Sequence, residues 1–183
     1  MTITKWIIDP LHSDVQFKVR HLVISTVTGS FNNFEGGATV QGDTFDNAEI
    51  HFSLDVRSID TKVEARDNHL RSADFFDAEN HPHINFQSTY FSKMHDEVYS
   101  LFGMLTIKGI TKPVELQAEF GGFAEDEYGN RKAGFEVSGN ISRWEFGLTY
   151  NPLSKTGGLV LGEEIKLVAN IQLTQEVEQP VQQ

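Results

Sequence analysis

Residues 48–56 read Ala48-Glu49-Ile50-His51-Phe52-Ser53-Leu54-Asp55-Val56, an unbroken alternation of apolar and polar side chains. Successive side chains of an extended strand point to opposite faces, so Ala48, Ile50, Phe52, Leu54 and Val56 share one face and Glu49, His51, Ser53 and Asp55 the other. A strand of this kind is buried on one side only. The same period recurs outward from this stretch, in Val15, Phe17 and Val19, in Val114, Leu116, Ala118 and Phe120, and in Ala133, Phe135 and Val137. It returns near the end of the chain in Ile165, Leu167, Ala169, Ile171 and Leu173. Less regular strands are expected at about 31–40, 83–92 and 97–107, with a short one around Trp6 to Ile8. Turn residues divide them: Gly36-Gly37, Gly42-Asp43, Lys108-Gly109, Gly121-Gly122, Gly129-Asn130 and Gly157-Gly158. The expected fold is all-β, an antiparallel meander of about eight strands whose single apolar face closes into a barrel or folds into a sandwich.

The composition narrows the chemistry. The chain has 183 residues, fifteen Lys and Arg against twenty-six Asp and Glu for a formal charge of −11, no cysteine and fourteen phenylalanines. Without cysteine there are no disulfides, iron–sulfur clusters, cysteine zinc sites or thiol nucleophiles. The acidic balance argues against nucleic acid as the main partner and equally against docking on anionic lipid headgroups. No apolar run is long enough to span a bilayer, so no stable membrane insertion is expected. The opening MTITKWIIDP lacks the apolar core of a secretory leader. Fourteen rings in a chain of mean hydropathy −0.32 must be segregated to one side of the sheet. One domain is expected over 1–174, followed from Gln175 by a polar tail containing Pro180 that is expected to fray.

One segment, about residues 61–77, breaks the strand period. Thr61-Lys62-Val63-Glu64 has the form of a capping box, which predicts a helix from about Lys62 to Ser72 with Val63, Arg66, Asp67 and Leu70 on one face. Asp74-Phe75-Phe76-Asp77 follows as a turn whose two rings require burial. Long connections of this sort commonly carry function.

Several motifs, in order, resemble the YceI-like family of polyisoprenoid-binding proteins. They are Asp9-Pro10-Leu11-His12-Ser13, Phe17-Lys18-Val19-Arg20-His21-Leu22, Gly29-Ser30-Phe31 and Ser58-Ile59-Asp60-Thr61. The helix motif Arg66-Asp67-Asn68-His69-Leu70-Arg71-Ser72 and Asp74-Phe75-Phe76-Asp77 come next. The later pieces run from Gly103 to Val114 (GMLTIKGITKPV) and from Ile141 to Gly147 (ISRWEFG). The resemblance implies a lipocalin-like, up-and-down antiparallel β-barrel with the segment at 61–77 as a short helical insertion. It also implies a homodimer and an interior holding a long isoprenoid or similar amphipathic lipid. Many relatives are secreted behind a leader; with none visible here, the expected location is the cytoplasm, or the periplasm if a leader has been removed.

A barrel of about eight strands is just wide enough to be filled by its own side chains or to admit one ligand, and both cases have the same binary pattern. With the resemblance, the tunnel reading is preferred, and the expected lining is Phe17, Val19, Phe31, Phe52, Leu54, Phe86, Phe102, Phe135 and Phe146. His21, Arg66, His69 and Trp144 are the candidates for the headgroup and rim. Arg66 and Asp67 also read as residues that lock the helix over the barrel end, and Phe75 and Phe76 as anchors of that lid. No catalytic residue, metal or cofactor is expected, only a bound lipid. His12-Ser13-Asp14 invites a hydrolase reading, but neighbours on a strand diverge and cannot form a relay. The alternatives are a barrel enzyme, either an isomerase or a hydrolase holding a metal with His81 and His83, and a filled barrel that acts as a stress or partner-binding protein.

Overall fold

The computed structural model describes residues 2–152 and 160–177. Its strands are β1 (Ile3–Ile8), β2 (Asp14–His21), β3 (Ser25–Phe31), β4 (Phe34–Gln41), β5 (Glu49–Asp55) and β6 (Ile59–Asp60), then β7 (His83–His95), β8 (Val98–Ile107), β9 (Ile110–Glu125), β10 (Arg131–Ser142) and β11 (Leu161–Gln175). The one α-helix among these residues is α1 (Glu64–Arg71). Every pairing is antiparallel.

Three bends hide the simplicity of the barrel. A turn at Pro10–His12 separates β1 from β2, Asn32 and Asn33 separate β3 from β4, and a turn at Val56–Ser58 separates β5 from β6. β1 pairs with β4 while β2 pairs with β3, and β4 pairs with β5 while β3 pairs with β6. Each broken pair is therefore one bent stave. β11 meets β2 along its first part and β1 at its end, where Ile8 opposes Leu173 and Trp6 opposes Gln175. The result is a closed barrel of eight staves, each hydrogen-bonded to the next in the chain and the last to the first.

The alternation at 48–56 sits where expected, with Leu54 and Val56 buried and Glu49 and His51 exposed. The strand expected at 31–40 is β4, and β3 before it was not expected, because its outer face is Ser and Thr and Gly29 interrupts the apolar period that Val27 and Phe31 keep on the inside. Bulges also change parity. In β7 a shift between Ser88 and Tyr90 turns Phe91 inward after Ile84 and Phe86. In β9 the extra residue is Gly121, as Gly122 opposes Gly134 while Phe120 opposes Phe135. The C-terminal strand runs past the expected start of the tail: Gln175 pairs with Trp6, and the Glu176 N–H donates to the Lys5 carbonyl at 2.8 Å. The Gly157-Gly158 turn and residues 178–183 of the tail lie outside the described residues.

The helix is shorter than its sequence signals suggest. Lys62 takes a left-handed φ of 69°, so Thr61 cannot cap, and Val63 becomes the N-cap with no side-chain hydrogen bond. Val63 consequently lies outside the helix and is exposed, while Arg66, Asp67 and Leu70 keep the inner face. Asp67 takes the place of Glu64. Its carboxylate accepts from the Thr61 N–H at 2.8 Å and from the Thr61 hydroxyl at 2.5 Å. Arg66 donates to the Thr61 hydroxyl at 2.7 Å and to its carbonyl at 2.6 Å. Arg71 donates to the carbonyls of Arg57 and Ile59 at 3.0 and 3.1 Å. These bonds fasten the helix across one end of the barrel.

At the opposite end, the barrel seam is tied by Lys132. Its ammonium donates to the Thr174 hydroxyl at 2.6 Å and to Asp9 at 3.5 Å, and lies 3.8 Å from Asp126. Burial alone would raise the Asp9 carboxyl, but hydrogen bonds from the His12 ring, the Leu11 N–H and Lys132 outweigh it and hold the group below its usual value. A carboxylate so depressed contributes stability above its unfolded pKa of about 3.9, which is lost as pH falls through the lower folded value. Asp9→Asn is therefore expected to destabilise the protein by about 1 kcal/mol at neutral pH. The difference from the parent should shrink once the pH drops below about 4, measured as melting midpoints across a pH series.

Candidate functional site: the barrel interior

The end of the barrel away from the helix is plugged by rings. Phe45 comes from the β4–β5 connection, not from a strand, and it reaches inward. Its ring centroid lies 4.9 Å from Phe135, 5.2 Å from Trp6, 5.8 Å from Phe120 and 6.0 Å from Phe123. The Gly121 bulge is what lets Phe120 and Phe123, three residues apart, both join this cluster, 5.0 Å from one another. Phe91 and Tyr99 stack at 4.7 Å beside Phe135. Outside the plug, the Arg131 guanidinium lies 4.1 Å above the Phe123 ring, a cation–π contact that covers the apolar end with charge.

Between plug and helix the barrel is hollow. The cavity measures about 440 Å³, within the usual range for a small-molecule site. Its wall is apolar, with Val15, Phe17 and Val19 from β2, Ile50, Phe52 and Leu54 from β5, Leu101, Leu105 and Ile107 from β8, and Ile165, Leu167 and Ile171 from β11. Glycines account for part of the space. A Cβ on Gly29 would collide with the ring of Phe17, its cross-strand partner, and one on Gly103 would strike the ring of Phe86. Both rings therefore lie down against bare backbone instead of projecting into the lumen. Leu116 does the same over Gly139.

Polar side chains cluster at the helix end. His21, Arg66, His69, Arg143 and Tyr150 line the cavity there. His69 bonds to the Asp74 carboxylate at 2.9 Å and stands edge-on to Phe75 and Tyr150, each 5.0 Å away. Arg143 is almost wholly buried, yet no carboxylate among the described residues bonds to it. It donates to the carbonyls of Leu148 at 2.5 Å, Gly162 at 2.7 Å and Tyr150 at 2.9 Å. Burial pushes this guanidinium down from its usual value, with Glu163 working the other way. Its bonds hold the loop after β10 against the start of β11. Among the described residues no buried side-chain polar atom lacks a partner, so the lumen makes no demand for a polar ligand.

The model of the YceI-like domain matches residues 6–173. The chain belongs to the YceI-like family. A UPF0312 protein of Staphylococcus epidermidis is 38% identical over 175 residues, covering 94% of this chain and 98% of its own. A Campylobacter jejuni YceI crystal structure is 30% identical, with a TM-score of 0.75 over 86% of this chain and 90% of its own. A structure described as a polyisoprenoid binding domain from Saccharophagus degradans superposes with a TM-score of 0.73 over 93% of this chain and 98% of that one; at 13% identity it speaks to the fold alone.

In this YceI-like barrel Phe17, Val19, Phe31, Phe52, Leu54, Phe86 and Phe135 all line the cavity, as do His21, Arg66 and His69. Three expected positions need correction. Phe102 is on the outer face, 37% exposed and packed against Tyr90, because Tyr99, Leu101, Leu105 and Ile107 hold the inner parity of β8. Leu101 and Phe102 are adjacent apolar residues, and only the odd-numbered set continues. Phe146 is fully buried but packs in the turn Arg143–Phe146 that ends β10, apart from the lumen. Trp144 in the same turn is 44% exposed and does not reach the cavity.

Strand periodicity did not find Phe45, Phe91, Tyr150 or Arg143. A lone ring among Asp43, Thr44 and Asp46 was the available sign for Phe45, since a ring in so polar a turn has to fold inward. His12 bonds to Asp9 at 2.8 Å, while Ser13 bonds to the Gln172 backbone and Asp14 to Asn170, so the three side chains diverge. His81 lies beside Gly109, and among the described residues no three His, Cys, Asp or Glu side chains converge as a metal site would require.

Gly29→Ala tests the origin of the hollow. The added methyl must push the Phe17 ring into the lumen, which should lower stability by about 1–3 kcal/mol and reduce uptake of a fluorescent apolar probe. Adding Phe17→Leu should restore uptake, read by titration of the single and double variants.

Proposed function

We propose that the protein binds a long isoprenoid or similar amphipathic lipid inside the barrel and carries it without chemical change. The observation that carries this reading is the polarity of the cavity along its axis: hydrocarbon walls and an aromatic floor at one end, His21, Arg66 and His69 at the other. A polyprenyl tail suits such a wall, because each buried CH₂-sized group stabilises the complex by about 0.8 kcal/mol and asks for no hydrogen bond. The headgroup would rest beneath α1, with His21 and His69 beside it. Arg66 serves there mainly as a lock, since Thr61 takes its Nε and one Nη donor. The same fold in Saccharophagus degradans is described as a polyisoprenoid binding domain, the ligand class proposed here. A non-catalytic role is supported by how the polar groups at the helix end are spent, since Arg143, Arg66 and His69 bond to protein carbonyls, a hydroxyl and a carboxylate.

The test is organic extraction of gently purified protein followed by mass spectrometry. A polyprenyl-class lipid in near-stoichiometric amount is the expected result. Absence of any lipid, together with failure to take up a polyprenol from detergent micelles, would overturn the proposal. Phe45→Ala removes the floor and should shift the retained tails toward greater length. It should also cost about 3–5 kcal/mol of stability.

A further inference from the structure

The tip of the β2–β3 hairpin stands at the helix end of the barrel and carries three consecutive apolar residues. Leu22, Val23 and Ile24 are 42%, 73% and 86% exposed. Isolated apolar side chains on a surface are ordinary, whereas three in a row at a turn are not. The backbone makes the choice stranger. Leu22 and Val23 hold φ values of 52° and 66°, a region that Asn and Gly enter readily and a β-branched residue enters only under strain. The turn is kept in place by the Ser25 hydroxyl donating to the His21 carbonyl at 3.2 Å and by Arg20 donating to the Val23 carbonyl at 3.1 Å. The Leu22 N–H donates to the Val160 carbonyl at 2.7 Å, and Val160, His21 and Val27 all line the cavity. The exposed tip thus continues directly from the cavity wall.

Its charge is opposite to that of the rest of the molecule. From Val15 to Phe34 there is no Asp or Glu, while Lys18 and Arg20 lie on the outer face of β2, so this hairpin carries +2 in a chain of −11 and everything else carries −11 − 2 = −13. An anionic surface would repel the bulk of the protein, and Lys18 and Arg20 favour the hairpin as the part that faces it, with the exposed Glu163 and Glu164 of the neighbouring β11 working the other way. The side chains that would meet such a surface first are the three apolar ones.

We infer that the hairpin tip docks transiently on a bilayer containing anionic lipid, placing Leu22, Val23 and Ile24 among the headgroups so that a lipid tail passes between membrane and cavity without crossing water. This rests on the reading of the barrel as a lipid carrier. The whole-chain charge argues against anionic membranes, and within the hairpin, from Val15 to Phe34, that balance is reversed. The docking is peripheral, and no helix among the described residues is long and apolar enough to cross a membrane.

The experiment is flotation of the intact protein with phosphatidylcholine vesicles containing about one third phosphatidylglycerol, at ionic strength of roughly 0.1 M and again near 1 M. The parent should float at low salt and be released at high salt. Leu22→Asn with Val23→Gly suits the left-handed turn, so its melting midpoint should equal or exceed the parent's while vesicle binding falls about tenfold. Uptake of a polyprenol from detergent micelles should be unchanged in this variant, and uptake from vesicles should be lost. The inference is overturned if the parent fails to float, if the double variant floats equally well, or if pure phosphatidylcholine vesicles bind the parent as strongly. It is also overturned if the substitutions leave vesicle binding intact and instead dissociate a dimer on size exclusion, which would assign the tip to a second copy of the chain. Failed uptake from micelles by the parent would count against the carrier reading, while flotation reports on docking by itself.

Discussion

The structure depends on the pairing of its first and last strands. A sheet that did not close between β1 and β11 would expose two rows of backbone donors and acceptors and leave its apolar face half covered. Here the seam is short, from Trp6–Gln175 to Ile8–Leu173, and β2 continues it along β11. Lys132 reinforces it by bridging Thr174 in β11 to Asp9 in the turn after β1. Closure makes an inside. Once there is an inside, Trp6 at the seam becomes part of the floor, and the odd-numbered residues of β2 and β11 become adjacent parts of one wall.

An inside need not be empty, and small side chains at chosen places keep this one open. Gly29, Gly103 and Gly139 each let a large neighbour lie flat. The plug does the opposite, concentrating rings from a loop and five strands at one end. With the aromatic volume gathered there, the barrel has a floor and a direction. The polar groups at the other end are largely satisfied by the protein itself, which makes the lumen a place for hydrocarbon and its helix end a place for something wetter. The same helix end carries the basic, apolar-tipped hairpin, so the polar end of the cavity and the proposed docking tip lie together.

Much of this was legible in one dimension. The alternation in β5 and β11 predicts a one-sided sheet, and it placed Phe17, Val19, Phe52, Leu54 and Phe135 on the inner face. The break at 61–77 marks the helical insertion. Parity failed where the ladder slips or ambiguous runs occur. Leu101-Phe102 reads equally well in either phase, and Phe102 proved to be outside. The bulges in β7 and β9 turn Phe91 and Phe123 to positions that no uninterrupted period predicts. The capping box at Thr61 failed for a local reason, the left-handed turn at Lys62, and Asp67 supplied the acceptor instead.

What the sequence determined alone was the two-sidedness of the strands, the acidic exterior, the absence of thiol chemistry and the position of the insertion. All of these follow from the order of residues along the chain, because side-chain direction in a strand is a local property. Whether the barrel is filled or hollow was decided only in three dimensions. A ring facing inward looks the same in sequence whether it projects into the centre or lies against the wall. Which it does depends on the residue across the strand pair, Gly29 for Phe17, and on a loop residue, Phe45, closing the far end. Those contacts join positions distant in the chain, and they exist only after the sheet has closed.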